Sequence, residues 1–301
     1  MTMKKNKKRK GIILAGGNGS RLSPITKAIS KQLMPVYNKP MIYYPLSTLM
    51  LAGIKEFLII TTKEYKKSFE NLLGNGEDFG IEINYAIQES PDGLAQAFLI
   101  GEDFINNSPV ALVLGDNLFN GVDLEKKLIS VNKKHKQNTI FALPVNDPER
   151  YGVVEFDENN KVIDISEKPK NPKSRYAVTG LYFYDDTVVN KAKKITPSSR
   201  GELEITALNQ MYLADEDLTV EIFGRGMAWL DTGTFDSLHQ AGTYIRILEK
   251  RQGLKIGCPY EIAWRKKWID DSKFENSAFN LIKSSYGKYL LSLIEEKNIN
   301  L

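Results

Sequence analysis

Histidine and cysteine are almost missing from these 301 residues, which hold two histidines, His135 and His239, and one cysteine, Cys258. A lone cysteine cannot close an internal disulfide. Three such residues, far apart along the chain, make no cluster with zinc-ligand spacing. Long apolar runs are absent too. No stretch approaches the roughly 18 residues that would span a bilayer, and no apolar segment follows the basic start as a signal-peptide core would. The expectation is a cytoplasmic protein with no membrane partner. Charge of one sign is also scarce. The formal net charge is +4, yet six of the 41 basic residues (Lys4, Lys5, Lys7, Lys8, Arg9 and Lys10) lie in the first ten positions. Without them 35 basic residues face 37 acidic ones, which leaves no basic face for tracking nucleic acid. Residues 1–10 are expected to form a disordered basic tail.

Hydrophobic residues make up 42 % of the chain, ample for a core. Short β-rich runs alternate with helical stretches in the first half. Strands are expected at 11–15, 56–61, 81–87 and 110–114, and helices at 41–52, 64–73 and 94–105. Three repeats of such a unit indicate a mainly parallel α/β sheet. After Asn138 the pattern turns strand-rich (139–145, 153–156, 162–165, 177–184), with Asp157-Glu158-Asn159-Asn160 as a hairpin turn, so antiparallel strands are expected on one side. Helices return at 202–214 and 235–251. The segment 253–301 reads as a helical, aromatic-rich C-terminal lobe following a domain at 11–252, whose halves divide near residue 138.

The first predicted strand runs into Leu14-Ala15-Gly16-Gly17-Asn18-Gly19-Ser20-Arg21. Open α/β sheets bind ligands at this strand end, and three glycines in four positions uncover backbone N–H groups for a phosphate chain. No Gly-Lys-Ser/Thr follows, so this is not a Walker loop, and Leu22 stands where a dinucleotide fingerprint needs its third glycine. Alone the loop could be a plain turn. Arg21, Lys27 and Lys31, on a segment stiffened by Pro24 and Pro35, supply the cations that a triphosphate would need. Two carboxylates, Asp116 after the most apolar strand and Asp231 before a predicted helix, would suffice for Mg²⁺, which takes one or two carboxylates plus phosphates and water. Either alone could be a turn residue.

The string from Gly16 to Thr26, continued by Ser30-Lys31-Gln32-Leu33-Met34-Pro35-Val36, resembles the N-terminal signature of sugar nucleotidyltransferases, and looks closest to the thymidylyltransferase branch. The resemblance runs through essentially all of residues 9–301. It implies a three-layer Rossmann-like fold with a mixed, mainly parallel central sheet, and a reaction between dTTP and glucose 1-phosphate that yields dTDP-glucose on the way to dTDP-sugars such as dTDP-rhamnose. It implies a nucleotide site at Leu14, Gly16, Gly17, Gly19, Ser20, Arg21, Lys31, Gln32 and Asp116, with Arg21 and Lys31 on the triphosphate and departing pyrophosphate. The segment from Gln88 to Ala97 is similar to the one that reads the base, through the Gln88 side chain and the Gly93 backbone. A neutral amide can pair with an imide edge, an edge that uracil shares.

For the sugar phosphate the resemblance implies Tyr151, Gly152, Glu167, Lys168, Val178 and Arg200. Catalysis would rest on Arg21, Lys31, Lys168 and Arg200, and metal binding on Asp116 and Asp231. It further implies a homotetramer, and feedback inhibition by a dTDP-sugar at Gly121, Glu261, Ile262 and Arg265. The chain departs from the pattern at Ser20, where threonine is usual, and at Ala207, where an acidic residue is usual. Two rivals stay open within this reading: a uridylyltransferase acting on a hexose 1-phosphate, and a catalytically silent sugar-nucleotide sensor.

Overall fold

A computed structural model describes residues 7–299. Strand β1 (Lys10–Ala15) leads through a short two-stranded ribbon, β2 (Pro35–Val36) and β3 (Lys39–Pro40), to helix α1 (Tyr43–Leu51). Then follow β4 (Glu56–Thr61), α2 (Lys66–Leu73), β5 (Glu82–Ile87), α3 (Gln96–Ile100), α4 (Glu102–Ile105), β6 (Val110–Leu114), β7 (Asn117–Asn120) and α5 (Leu124–Lys133). The helix expected over 94–105 is broken at Gly101, a residue that weakens helices. The second half adds β8 (Asn138–Pro144), β9 (Gly152–Phe156), β10 (Val162–Glu167), β11 (Tyr176–Tyr184), α6 (Val188–Ala192), α7 (Ile205–Ala214), β12 (Leu218–Ile222) and β13 (Ala228–Asp231). It ends with α8 (Phe235–Gln252), α9 (Pro259–Arg265), α10 (Asp271–Asn280) and α11 (Ser285–Ile299). At the start of α8, Thr234 and Ser237 exchange side-chain and backbone hydrogen bonds in a capping box.

The main sheet runs β10-β9-β11-β6-β1-β4-β5, with β8 on β11 and β12 on β8. Strands β6, β1, β4 and β5 are parallel, whereas β11 is antiparallel to β6, β8 and β9. The sheet is therefore mixed, with its antiparallel part on one side. Alternation along the strands divides the core. Ile13, Phe57, Ile59 and Val113 face one cluster, with α1 and the C-terminal helices, while Ile12, Leu58, Ile60 and Leu112 face the other, with Phe98, Tyr184 and Tyr212. That is a helix–sheet–helix sandwich. Residues of the C-terminal helices (Phe274, Tyr286, Leu290) share the first cluster with Tyr43 and Phe79, so the core is continuous across Gly253. Among the described residues no helix is long and apolar enough to cross a membrane.

The expected tail needs correction. Positions 1–6 lie outside the described residues, but Arg9 is only 3 % exposed, and Lys10 begins β1. The Arg9 guanidinium donates to the carbonyls of Val110 (3.1 Å), Tyr184 (2.5 Å) and Lys134 (3.3 Å), and lies 5.2 Å over the Phe183 ring. Burial lowers its pKa to about 10. Carbonyls at the ends of β6, β11 and α5 converge there, and one planar donor group satisfies all three.

Candidate active site

Strands β1, β5 and β6 deliver the glycine loop, Gln88 and Asp116 from their carboxyl ends into a cleft of about 600 Å³, which also collects Glu167, Arg200 and Asp231 from the second half of the chain. The crevice outside the carboxyl ends of the strands, where open α/β sheets bind ligands, is thus lined by side chains from both halves. In the glycine loop Gly19 takes a left-handed φ of 59°, and its carbonyl accepts from Thr26 Oγ1 at 3.0 Å. A Cβ at Gly16 would overlap the Gln88 side-chain oxygen, so only glycine lets the loop and the glutamine meet.

Lys31 opens a short helical turn and is 6 % exposed; its ammonium donates to Asp116 Oδ2. An ammonium has three donors, so two remain for another anion. Next to it, Gln32 accepts at Oε1 from Ser30 Oγ, 2.8 Å away.

Asp116 and Asp231, far apart in sequence, meet through a second two-stranded ribbon. β7 and β13 pair antiparallel, with Asp231 opposite Asn117 and Ala228 opposite Asn120. Asn117 is the hub. Its Nδ2 donates to Asp116 Oδ1 (2.9 Å), and its Oδ1 accepts from Trp229 Nε1 (2.5 Å) and the Gly180 N–H (3.2 Å). Thr232 closes the other side, donating from Oγ1 to the Asp116 carbonyl at 2.9 Å. Burial first, then the charge on Asp116, raises the pKa of Asp231, against the pull of Lys31, Arg21 and Arg150. Two carboxylates that crowd each other in this way form an anionic pair suited to a divalent cation. Among the described residues no group of three or more His, Cys, Asp or Glu offers a fuller metal cage.

At the other end of the cleft Glu167 closes β10, and Lys168 follows with φ 42°. This left-handed conformation costs a non-glycine residue about 1 kcal/mol or more. It is held by the Lys168 N–H donating to the Tyr151 carbonyl at 3.0 Å. Glu167 accepts from Thr206 Oγ1 (2.5 Å) and from Arg200 (3.2 Å), and lies 3.5 Å from the Lys168 ammonium. Arg200 also forks onto Glu204, at 2.8 and 2.9 Å. Gly152 and Val178 line the cleft beside them, and Tyr151 packs on Trp229 with ring centroids 4.9 Å apart.

Of the residues expected from sequence to bind the nucleotide, Leu14, Gly17, Arg21, Gln32, Gln88 and Gly93 line this one cleft. Gly16 and Lys31 stand just behind its wall, against Gln88 and Asp116, and Ser20 lies in the turn that carries Arg21. Gly121, Glu261, Ile262 and Arg265 lie outside it. Glu261 accepts from Arg265 (2.7 Å) and Tyr289 (2.5 Å), tying α9 to α11. Sequence reasoning missed Asn117, Arg150, Thr206 and Trp229, all cleft residues. Strand alternation held one signal, since Trp229 and Asp231 occupy one face of β13. Arg150, 3.9 Å from Asp231 and 2.6 Å from Asp147, had none.

Comparison with known proteins agrees with this geometry. The model of the Nucleotidyl transferase family matches residues 10–246. A glucose-1-phosphate thymidylyltransferase of Neisseria meningitidis is 57 % identical over 287 residues, 95 % of this chain and 100 % of that protein. Among solved structures, a candidate glucose-1-phosphate thymidylyltransferase of Bacillus anthracis in complex with a sucrose is similar at TM-score 0.73 and 42 % identity, over 79 % of this chain and 95 % of that one. A UDP-glucose pyrophosphorylase complexed with UDP-glucose is similar at TM-score 0.70 and 26 % identity, over 80 % and 99 %.

Proposed function

The chain belongs to the nucleotidyl transferase family, among relatives that are glucose-1-phosphate thymidylyltransferases, and we propose that it transfers a thymidylyl group from dTTP to glucose 1-phosphate, giving dTDP-glucose and pyrophosphate. One observation carries the reading. A single cleft has a glycine loop with Arg21, Gln88 and two carboxylates at one end, and Glu167, Lys168 and Arg200 at the other. A triphosphate and a sugar phosphate need such unlike ends.

The reaction needs no protein nucleophile. An oxygen of the sugar phosphate forms a bond to the α-phosphorus as the bond to the bridging oxygen breaks, and pyrophosphate leaves. Catalysis then lies in alignment and in cations placed where charge gathers. Lys168 and Arg200 hold the attacking phosphate, and Glu167 accepts from sugar hydroxyls. Arg21 and Lys31 face the departing charge. Asp116 and Asp231 would hold Mg²⁺, whose chemistry there is to neutralise phosphate charge and favour in-line displacement. Arg200 bonds three carboxylates before substrate arrives, so phosphate binding is an exchange of partners.

The same reading carries a homotetramer in the cytoplasm, feedback by a dTDP-sugar at Gly121, Glu261, Ile262 and Arg265, and supply of dTDP-glucose for sugars such as dTDP-rhamnose. Likeness to the UDP-glucose pyrophosphorylase keeps UTP as the rival nucleotide. The deciding experiment is pyrophosphate release with dTTP, UTP, dCTP or ATP, each with glucose 1-phosphate and its isomers, with and without Mg²⁺. Highest kcat/KM for dTTP with glucose 1-phosphate is expected, and no release from any pair would sink the reading.

A further inference from the structure

Behind Gln88, outside the wall of the cleft, stands Gln96 on the first turn of α3. Gln88 Nε2 donates to Gln96 Oε1 at 2.6 Å, and Gln96 Nε2 donates in turn to Asp92 Oδ2 at 3.0 Å. The backbone N–H of Asp92 reaches Gln96 Oε1 at 3.3 Å, and Ser90 Oγ donates to the same Asp92 carboxylate. An amide can point either way, but a carboxylate can only accept. Asp92 therefore fixes which end of Gln96 is the donor. Turning Gln96 over would set two oxygens against each other at Asp92, and turning Gln88 over would do the same at Gln96. The polarity of the whole relay follows from one acidic residue.

From this relay we infer that Gln96, anchored by Asp92, is a positioning residue that locks the Gln88 amide with its oxygen toward the base, and so makes the site select an imide N–H. The inference rests on the reading of Gln88 as the residue that faces the base. Thymine and uracil carry an N–H at the ring position where cytosine carries a bare nitrogen that only accepts. Against a locked oxygen, cytosine would bring two lone pairs together in a buried place, since Gln88 is only 4 % exposed. A free amide would turn over and pair with either ring. The relay rejects cytosine-type bases and says nothing between dTTP and UTP.

The test compares kcat/KM for dTTP, UTP and dCTP, each with glucose 1-phosphate, in the wild type and four variants. Gln96→Ala frees the amide, and its dTTP/dCTP ratio should fall about tenfold or more, through a higher KM for dTTP, while KM for glucose 1-phosphate stays as it was. Asp92→Asn, at an exposed position, removes the acceptor-only anchor and should lower the ratio by a smaller factor, which keeps the test open if Gln96→Ala does not fold. Asp92→Asn combined with Gln96→Glu rebuilds the polarity by different chemistry and should return the ratio to near the wild-type value. A folded Gln96→Ala protein with an unchanged ratio overturns the inference, as does a double variant as unselective as Gln96→Ala. A Gln88→Ala variant that keeps the wild-type ratio would instead overturn the assignment of Gln88 to the base.

Discussion

The two ends of the cleft hold their charges in opposite ways. At the end we assign to the nucleotide, Lys31 and Gln88 are nearly inaccessible, Gln88 just past the carboxyl end of β5 and Lys31 against Asp116 at the carboxyl end of β6. At the end we assign to the sugar phosphate, the Lys168 and Arg200 side chains are 46 % and 38 % exposed, and stand on antiparallel strands and loops. A buried cation with one carboxylate partner is already oriented before anything binds, so on the proposed reading it acts on the barrier of the chemical step. An exposed cation shared among Glu167, Glu202 and Glu204 has partners to exchange for a phosphate. On the proposed reading it therefore acts on affinity.

Substitutions can break or sharpen this contrast. The largest effect is expected from Lys31→Ala. Its kcat should fall by about a hundredfold to a thousandfold or more, with near-normal circular dichroism, because a preorganised charge at the leaving group disappears. Near-normal turnover would end the claim that the buried end drives the chemistry. Asp231→Asn should also cost activity heavily while raising the melting temperature of the metal-free protein. Burial and Asp116 raise the Asp231 pKa, so its charged form destabilises the fold above that pKa, and a neutral amide removes the penalty. A lowered melting temperature in a metal-free scan would show that sign to be wrong.

Gly16→Ala presses a methyl into Gln88, so KM for dTTP should rise about tenfold, with little change for glucose 1-phosphate. Arg200→Ala should do the converse, raising KM for glucose 1-phosphate by about tenfold to a hundredfold with a milder loss in kcat. A pure kcat effect there would erase the division between the ends. The smallest effect is expected from Glu202→Gln, which removes one exposed partner of Arg200. Stability should change by less than about 0.5 kcal/mol in a urea titration.

Strand periodicity made the parallel half legible. The runs at 56–61 and 110–114 are strands over those residues, because a strand buried on both faces reads as a continuous apolar run. The ribbon of β7 and β13 was not legible, since its strands are only four residues long and their register depends on side chains such as Asn117 that meet only in the fold. For the same reason Asn117 and Trp229 escaped notice while Asp116 and Asp231, set in recognisable motifs, did not. Arg9 failed differently. Six basic residues in ten look alike in composition, and only the convergence of three carbonyls tells the buried one from its neighbours.

The ribbon also sets an order in time. Asp231 has no place beside Asp116 until β13 has been synthesised, 114 residues after its partner Asn117. At translation rates of about 5–20 residues per second that is a delay of roughly 6–23 s. Through that interval the emerging chain already carries β1, β4, β5, β6 and the glycine loop, but only one of the two carboxylates. On the proposed reading, the second carboxylate of the metal pair joins the site only when the last strand of the ribbon is in place.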